Sequence, residues 1–448
     1  MFALSHFKTL RNTCKVFQRY VVTAAALKDK DVTPKNKSNK FPEKLLNKKS
    51  KNPSHFYLAN DAGSKMVFDE ISAHLKKLNK KPQVFYEINP GTLSLTKLLL
   101  DDKDLFQKLV LIENHEDFIG IAEEYHSLYP DRVKVYHRDF VNIWKLLYQD
   151  KMDNGSRVSD LLIDLPKQPY EQEPSVAIFS AVGSYNFFKH IINSLVFQTS
   201  FLSYGRCDLY FVIPPPIYIH LTCNRDIGYL LYRATTMLFQ IFFEYKFLKK
   251  IPREYFLPNP TLVNLSKEKK LAKIKSINSE YLYLVHMVPR KNLHELCAQE
   301  DLQALWYFVK QNCVSRKNRV IPTMEKFVPN CGPRLIMCSE SAKLDFTYAE
   351  EKKASLPQYS IASFTISNKN HFPYMNIFTQ FGDMNPSQML SLFSEFRSWP
   401  EYAVSPFLAS LENCLLKLEV AEEQDINEDD DPQEESSQEI IESSEERK

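Results

Sequence analysis

An α/β fold built on a mostly parallel, doubly wound sheet is what this chain predicts, and three observations carry the prediction. Short apolar runs recur at regular intervals between residues 84 and 213, too uniformly apolar to leave one face in water. Segments with helical spacing separate them. The first run, Val84-Phe85-Tyr86-Glu87-Ile88, leads straight into Asn89-Pro90-Gly91-Thr92-Leu93, a tight turn before a helix start. Such a turn is where doubly wound sheets receive a nucleotide-like ligand. Yet it holds one glycine, where ligand-cradling loops carry two or three.

The elements follow in order. Asn60 or Asp61 caps a helix whose inner face is Met66, Val67, Ile71 and Leu75. Strands are predicted at 84–88, 109–112, 133–137, 161–164, 177–182 and 209–213. Helices are predicted at 93–100, 118–125, 140–147 and 186–198, the last with Phe187, Phe188, Ile191, Ile192, Leu195 and Val196 on one face. Pro214-Pro215-Pro216 stops the strand before it. A helix over 228–247 and a strand over 281–288, ended by Pro289, complete the α/β part, residues 53–289. From 290 the pattern turns helical, with Leu302, Leu305, Trp306, Phe308 and Val309 facing inward and terminal helices over 389–398 and 408–418. The polar stretch 340–376 reads as an insertion in this smaller domain, 290–418.

Charge is placed unevenly. The net is +2 over 448 residues, but residues 1–55 carry 13 Lys/Arg against 3 acids and residues 419–448 carry 2 against 14. Residues 1–26 contain no acid, and Lys8, Arg11, Lys15 and Arg19 fall at helical spacing among apolar residues, the composition of a mitochondrial transit peptide. A basic arm that touches nucleic acid is the alternative. Residues 27–52 read as a flexible basic linker, and 419–448 as a disordered acidic tail. The eight cysteines form no Cys-x-x-Cys pair and no His-Glu-x-x-His occurs, so the expectation is reduced thiols and no metal. No apolar run reaches a membrane span; 227–248 is interrupted by Arg233, Gln240, Glu244 and Lys246.

Spacing alone argues for a bound nucleoside. Gly91 lets backbone pass close to a ligand, and Glu113, 22 residues on at the end of the second strand, is placed to hold ribose hydroxyls. Asp139 ends the third strand, where it can accept from an adenine amino group. The shortage of glycines disfavours a dinucleotide.

At these residues the chain resembles the ribosomal RNA adenine dimethylase family, which uses S-adenosylmethionine. The resemblance begins at Phe56 and Phe140 bounds its first block. It continues through Val182-Gly183-Ser184-Tyr185-Asn186, Tyr204-Gly205-Arg206-Cys207-Asp208-Leu209 and Met287-Val288-Pro289-Arg290-Lys291-Asn292-Leu293. The last segment is most similar to the mitochondrial branch, the transcription factor B proteins. The resemblance implies a Rossmann-like class I methyltransferase sheet with a smaller C-terminal helical domain. It places Ala59 against the methyl donor, Gly91 at the donor's carboxypropyl end, Glu113 at its ribose and Asp139 at its adenine. Active members have a second glycine where Leu93 stands, so a leucine there is expected to intrude on the donor or push the loop outward.

The catalytic segment of active members is N-L-P-Y: the asparagine and a backbone carbonyl accept from the target amino group, and the tyrosine stacks on the flipped base. Two segments compete for it. Asp164-Leu165-Pro166-Lys167 keeps an acceptor but loses the aromatic. Val182-Gly183-Ser184-Tyr185 keeps the aromatic and is followed by the matching helix and strand, and is preferred. On that alignment Tyr185 is the stacking residue, Gln168 to Pro174 is an insertion, and Val182 offers no acceptor, so methyl transfer is expected to be weak or lost.

Nucleic-acid binding does not need that acceptor. Lys267, Lys269 and Lys270, then Arg290, then Arg316, Lys317 and Arg319 are candidate phosphate contacts. The resemblance implies two functions. One is transcription initiation in mitochondria, with the mitochondrial RNA polymerase and single-stranded promoter DNA as partners. The other is dimethylation of adenines in mitochondrial small-subunit rRNA.

Overall fold

The computed structural model describes residues 41–50, 53–225, 231–260, 280–341 and 375–421. The predicted transit peptide, the lysines at 267–270, the body of the 340–376 insertion and the acidic tail beyond Ala421 lie outside them. These described residues belong to one compact unit.

Seven strands make the central sheet: β1 (Val84–Ile88), β2 (Lys108–Glu113), β3 (Val133–His137), β4 (Val176–Ala181), β5 (Asp208–Ile213), β6 (Phe243–Pro252) and β7 (Tyr281–Pro289). Their order across the sheet is β3-β2-β1-β4-β5-β7-β6. Strands β1 to β5 pair in parallel; β7 runs antiparallel to both its neighbours. All five residues of β1 are buried, as a strand covered on both faces requires. The order reverses between β1 and β4, so the crevice of the sheet opens beyond the ends of those two strands.

Helices α1 (Asp61–Lys77), α2 (Ser94–Asp101), α3 (Glu116–Leu128), α4 (Ile143–Asp153), α5 (Arg157–Leu161), α6 (Tyr185–Phe197), α7 (Pro215–Thr222) and α8 (Ala234–Phe242) connect the strands. Asn60 caps α1, its side chain accepting from Ala62 N at 2.8 Å, and Val67, Ile71 and Leu75 are fully buried beneath it. Pro214 ends β5 as expected, but Pro215 then opens α7, where its missing N–H costs nothing.

Three expectations need correction. The run 161–164 is not a strand: Val158, Leu161, Leu162 and Leu165 are buried at helical spacing on α5 and the turn after it. Short apolar runs do not separate the two periods. The helix expected over 228–247 is α8 followed without a loop by β6. The linker is ordered over 41–50: a helix, Glu43–Asn47, buries Leu45, and Lys49–Ser50 pairs with Asn259–Pro260.

The helices after residue 290, among them α9 (Leu302–Asn312), α10 (Pro386–Ser398) and α11 (Pro406–Ala421), extend the core on one sheet face rather than building a separate one. Trp306, 1% exposed, donates Nε1–H to Asn193 Oδ1 at 3.1 Å and so ties α9 to α6. Among the described residues no helix is long and apolar enough to cross a membrane.

Candidate nucleoside site

The turn after β1 carries the site. Asn89, Gly91 and Leu93 all have left-handed backbone, with φ of 54°, 60° and 64°. The turn therefore keeps a glycine-type path with one glycine. Asparagine tolerates that region; leucine does so at a cost of about 1–2 kcal/mol. Leu93 is fully buried in the core with Phe56, Leu95 and Leu99, so its side chain offsets the strain by packing. The Asn89 amide is buried at 5% exposure, and among the described residues neither its oxygen nor its nitrogen has a hydrogen-bond partner.

Glu113 ends β2 beside this turn and is fully buried. Its Oε2 accepts from Gly91 N at 3.0 Å. Its Oε1 accepts from Asn114 N and His115 N, both at 2.8 Å, and from the Tyr57 hydroxyl at 3.2 Å. Burial raises its pKa, opposed by these donors. Tyr57 is itself 3% exposed, and its ring packs on Phe118 with centroids 5.1 Å apart. Phe41 closes the cluster, 5.4 Å from Phe118. A Cβ built on Gly91 would lie 3.0 Å from Tyr57 Cδ1 and 3.6 Å from the Phe41 ring. The space over Gly91 is thus filled by two aromatic rings of the segment leading into α1. In this arrangement both carboxylate oxygens accept from protein donors. Ala59 belongs to the same cluster, its N–H donating to Tyr255 O at 2.8 Å.

Asp139 stands at the end of β3, half-buried, with Asn142 N at 3.1 Å and Asn142 Nδ2 at 2.8 Å on its two oxygens. His55 faces it; burial lowers the His55 pKa, and the Asp139 charge opposes that shift.

Of the two catalytic candidates, Val182 to Tyr185 lies at the end of β4, beside the crevice, and Asp164 does not. Asp164 bonds Lys108 and accepts from the Tyr136 hydroxyl at 2.5 Å. Val182 is fully buried and contributes no side-chain acceptor. The N–H groups of Gly183 and Ser184 both donate to Ser54 O, at 2.9 and 3.0 Å. A Cβ on Gly183 would sit 2.0 Å from Pro53 O, so only glycine lets the lead-in segment lie this close. Tyr185 begins α6, half-buried. Its hydroxyl is 2.8 Å from His220 Nε2, and the two rings are 4.4 Å apart. Burial, with the Arg233 and Lys189 charges behind it, pushes His220 down to about 4, so the imidazole is neutral at ordinary pH. Burial pushes the Tyr185 phenol up to about 12.

The structure therefore brings Ala59, Gly91 and Glu113 together and sets Asp139 after β3 and Tyr185 after β4, with β2 and β1 between those strands. Arg290 is not among them and is corrected here. It is 7% exposed, and its guanidinium donates to Gln240 O and Ile241 O at 3.0 Å each, closing the end of α8. Lys317 and Arg319 are exposed on the turn after α9, with Arg316 half-buried before them. Sequence reasoning missed Tyr57, Asn89 and His220. Asn89-Pro90-Gly91 carried a signal, since asparagine is the usual stand-in for glycine at positive φ; His220 carried none. Among the described residues no group of three His, Cys, Asp or Glu could hold a metal.

The sequence profile of the family described as "Ribosomal RNA adenine dimethylase" matches residues 47–333. A Drosophila melanogaster protein named "Dimethyladenosine transferase 2, mitochondrial" is 53% identical over 393 residues, 88% of this chain and 86% of that one. Similar solved structures include a dimethyladenosine transferase from Plasmodium falciparum, at TM-score 0.41 and 14% identity, covering 76% of this chain and 97% of that one. The 23S rRNA methyltransferase ErmE is similar at TM-score 0.37 and 13% identity, covering 75% of this chain and 98% of that one.

Proposed function

The chain belongs to the ribosomal RNA adenine dimethylase family, and on that premise we propose that it serves as a mitochondrial transcription initiation factor. It acts with the mitochondrial RNA polymerase and holds single-stranded promoter DNA on a scaffold descended from a methyltransferase. The observation that carries this reading is the state of the donor site. Glu113 is fully buried and bonded by Tyr57, and Val182 stands where a target amino group needs an acceptor. A surface that melts a promoter needs cations and stacking aromatics, not a methyl donor. The Met287 to Leu293 segment, most similar to the transcription factor B branch, points the same way. The relative's printed name supports the mitochondrial location.

A second reading is dimethylation of adenines in mitochondrial small-subunit rRNA, favoured by that name and by the retained Glu113 and Asp139. There the donor would lie between Gly91, Glu113 and Asp139, once Tyr57 and Phe41 had moved, and would supply the methyl group.

Promoter-dependent run-off with purified mitochondrial RNA polymerase, with and without the full chain, tests the first reading. Transcripts that require the chain support it, and transcripts made equally well without it end it. Methyl transfer to a small-subunit rRNA hairpin by the same preparation would establish the second.

A further inference from the structure

We propose that the paired turns 314–319 and 376–380, centred on Phe378, form a stacking platform for an unpaired base of single-stranded nucleic acid. The proposal rests on the nucleic-acid part of the function above and adds a site to it.

Phe378 is 63% exposed and Ile377 before it 52%, and Val314, at the start of the paired turn, is 73% exposed. Large apolar side chains gathered in water mark a contact surface. This one is rigid. Val320 N donates to Thr379 O, Phe381 N to Asn318 O and Gly382 N to Arg316 O, at 2.9, 2.9 and 3.0 Å, and Arg319 bridges Gln380. Asn376 holds the Phe378 turn, its Oδ1 accepting from Phe378 N at 2.8 Å. A turn held this way presents its ring on backbone that need not be ordered on binding.

Charge selects the partner. The Arg319 guanidinium lies 5.3 Å from the Phe378 centroid. Lys317 is exposed on the same turn, and exposed Arg225 reaches in, its Nη1 donating to Asp383 O at 3.1 Å. The Asp383 carboxylate is turned to its own turn, accepting from Gln380 N at 3.2 Å. Cations around an open aromatic face match a strand in which every phosphate is followed by a base.

The test uses the full chain, a fluorescent oligothymidine of about 20 nucleotides and a duplex of equal length. Phe378→Ala is expected to weaken the oligothymidine complex roughly tenfold and leave duplex affinity unchanged. Phe378→Tyr restores it. The emission of Phe378→Trp is quenched as the oligothymidine is added. Arg319→Gln weakens binding and lowers the salt slope by about 0.7. Wild-type affinity for oligothymidine in Phe378→Ala, with no quenching in Phe378→Trp, would overturn the platform alone. A loss of polymerase binding in Phe378→Ala, with oligothymidine binding intact, would overturn it in favour of a protein contact. Failure of the wild-type chain to bind oligothymidine at all would overturn both the platform and the nucleic-acid part of the proposed function.

Discussion

The Tyr57 hydroxyl donates to Glu113 Oε1 at 3.2 Å, joining the segment that leads into α1 to the end of β2. With three backbone N–H groups on the same carboxylate, the contact makes Glu113 a structural anchor. Glu113→Ala leaves four donors without their acceptor, all but one of them backbone. It should cost roughly 2–4 kcal/mol in denaturant unfolding. A carboxylate standing free in a ligand crevice would cost well under that, and such a result would contradict the anchor.

Leu93 separates packing from ligand binding. Leu93→Gly relieves about 1 kcal/mol of left-handed strain but removes a fully buried side chain worth about 3 kcal/mol with its cavity. The net expectation is a loss of about 2 kcal/mol in stability and no gain in donor binding. A glycine variant as stable as wild type that acquires donor binding would show that the leucine was excluding the ligand.

Glu87, on β1, is buried, with the Thr96 hydroxyl donating to Oε2 at 2.7 Å. Burial raises its carboxyl to about 8, partly offset by Thr96. The folded chain therefore holds a proton that the unfolded chain releases between the usual carboxylate range and pH 8. Stability from this group is full at low pH and declines as pH rises through 8, with a slope of up to about 1.4 kcal/mol per pH unit. Unfolding of Glu87→Gln, followed from pH 5 to 9, should lack that slope; an unchanged slope would place its origin elsewhere.

Arg290 should behave as a structural residue. Arg290→Gln should lower stability by about 3 kcal/mol, because the carbonyls ending α8 lose a charged donor. The salt dependence of nucleic-acid affinity should stay as in wild type, measured by anisotropy across a salt series. A shallower slope would return Arg290 to the phosphate contacts.

Sheet and site differed in how far the sequence exposed them. Strands such as 84–88, apolar but for Glu87, and 133–137 are short runs between turns, and their bounds were legible to the residue. The run 161–164 was not, because four residues do not distinguish a strand from a buried helical turn. Glu113 and Asp139 were legible as acids at strand ends, since the βα period fixes where strand ends fall. What engages them was hidden. Tyr57 lies 56 residues before Glu113, and only the folded sheet brings the phenol to the carboxylate. Arg290 looked like a surface cation beside Lys291, and nothing in its neighbours revealed that the end of α8 would be waiting for it.

Calorimetric titration of S-adenosylmethionine into the full chain tests the central claim most directly, with Tyr57→Ala alongside. With Tyr57 and Phe41 over Gly91 and Glu113 already bonded, wild type should show no binding in the micromolar range, and Tyr57→Ala should bind more tightly than wild type. A micromolar dissociation constant for wild type, lost in Asp139→Asn, would mean that the donor site is open and in use.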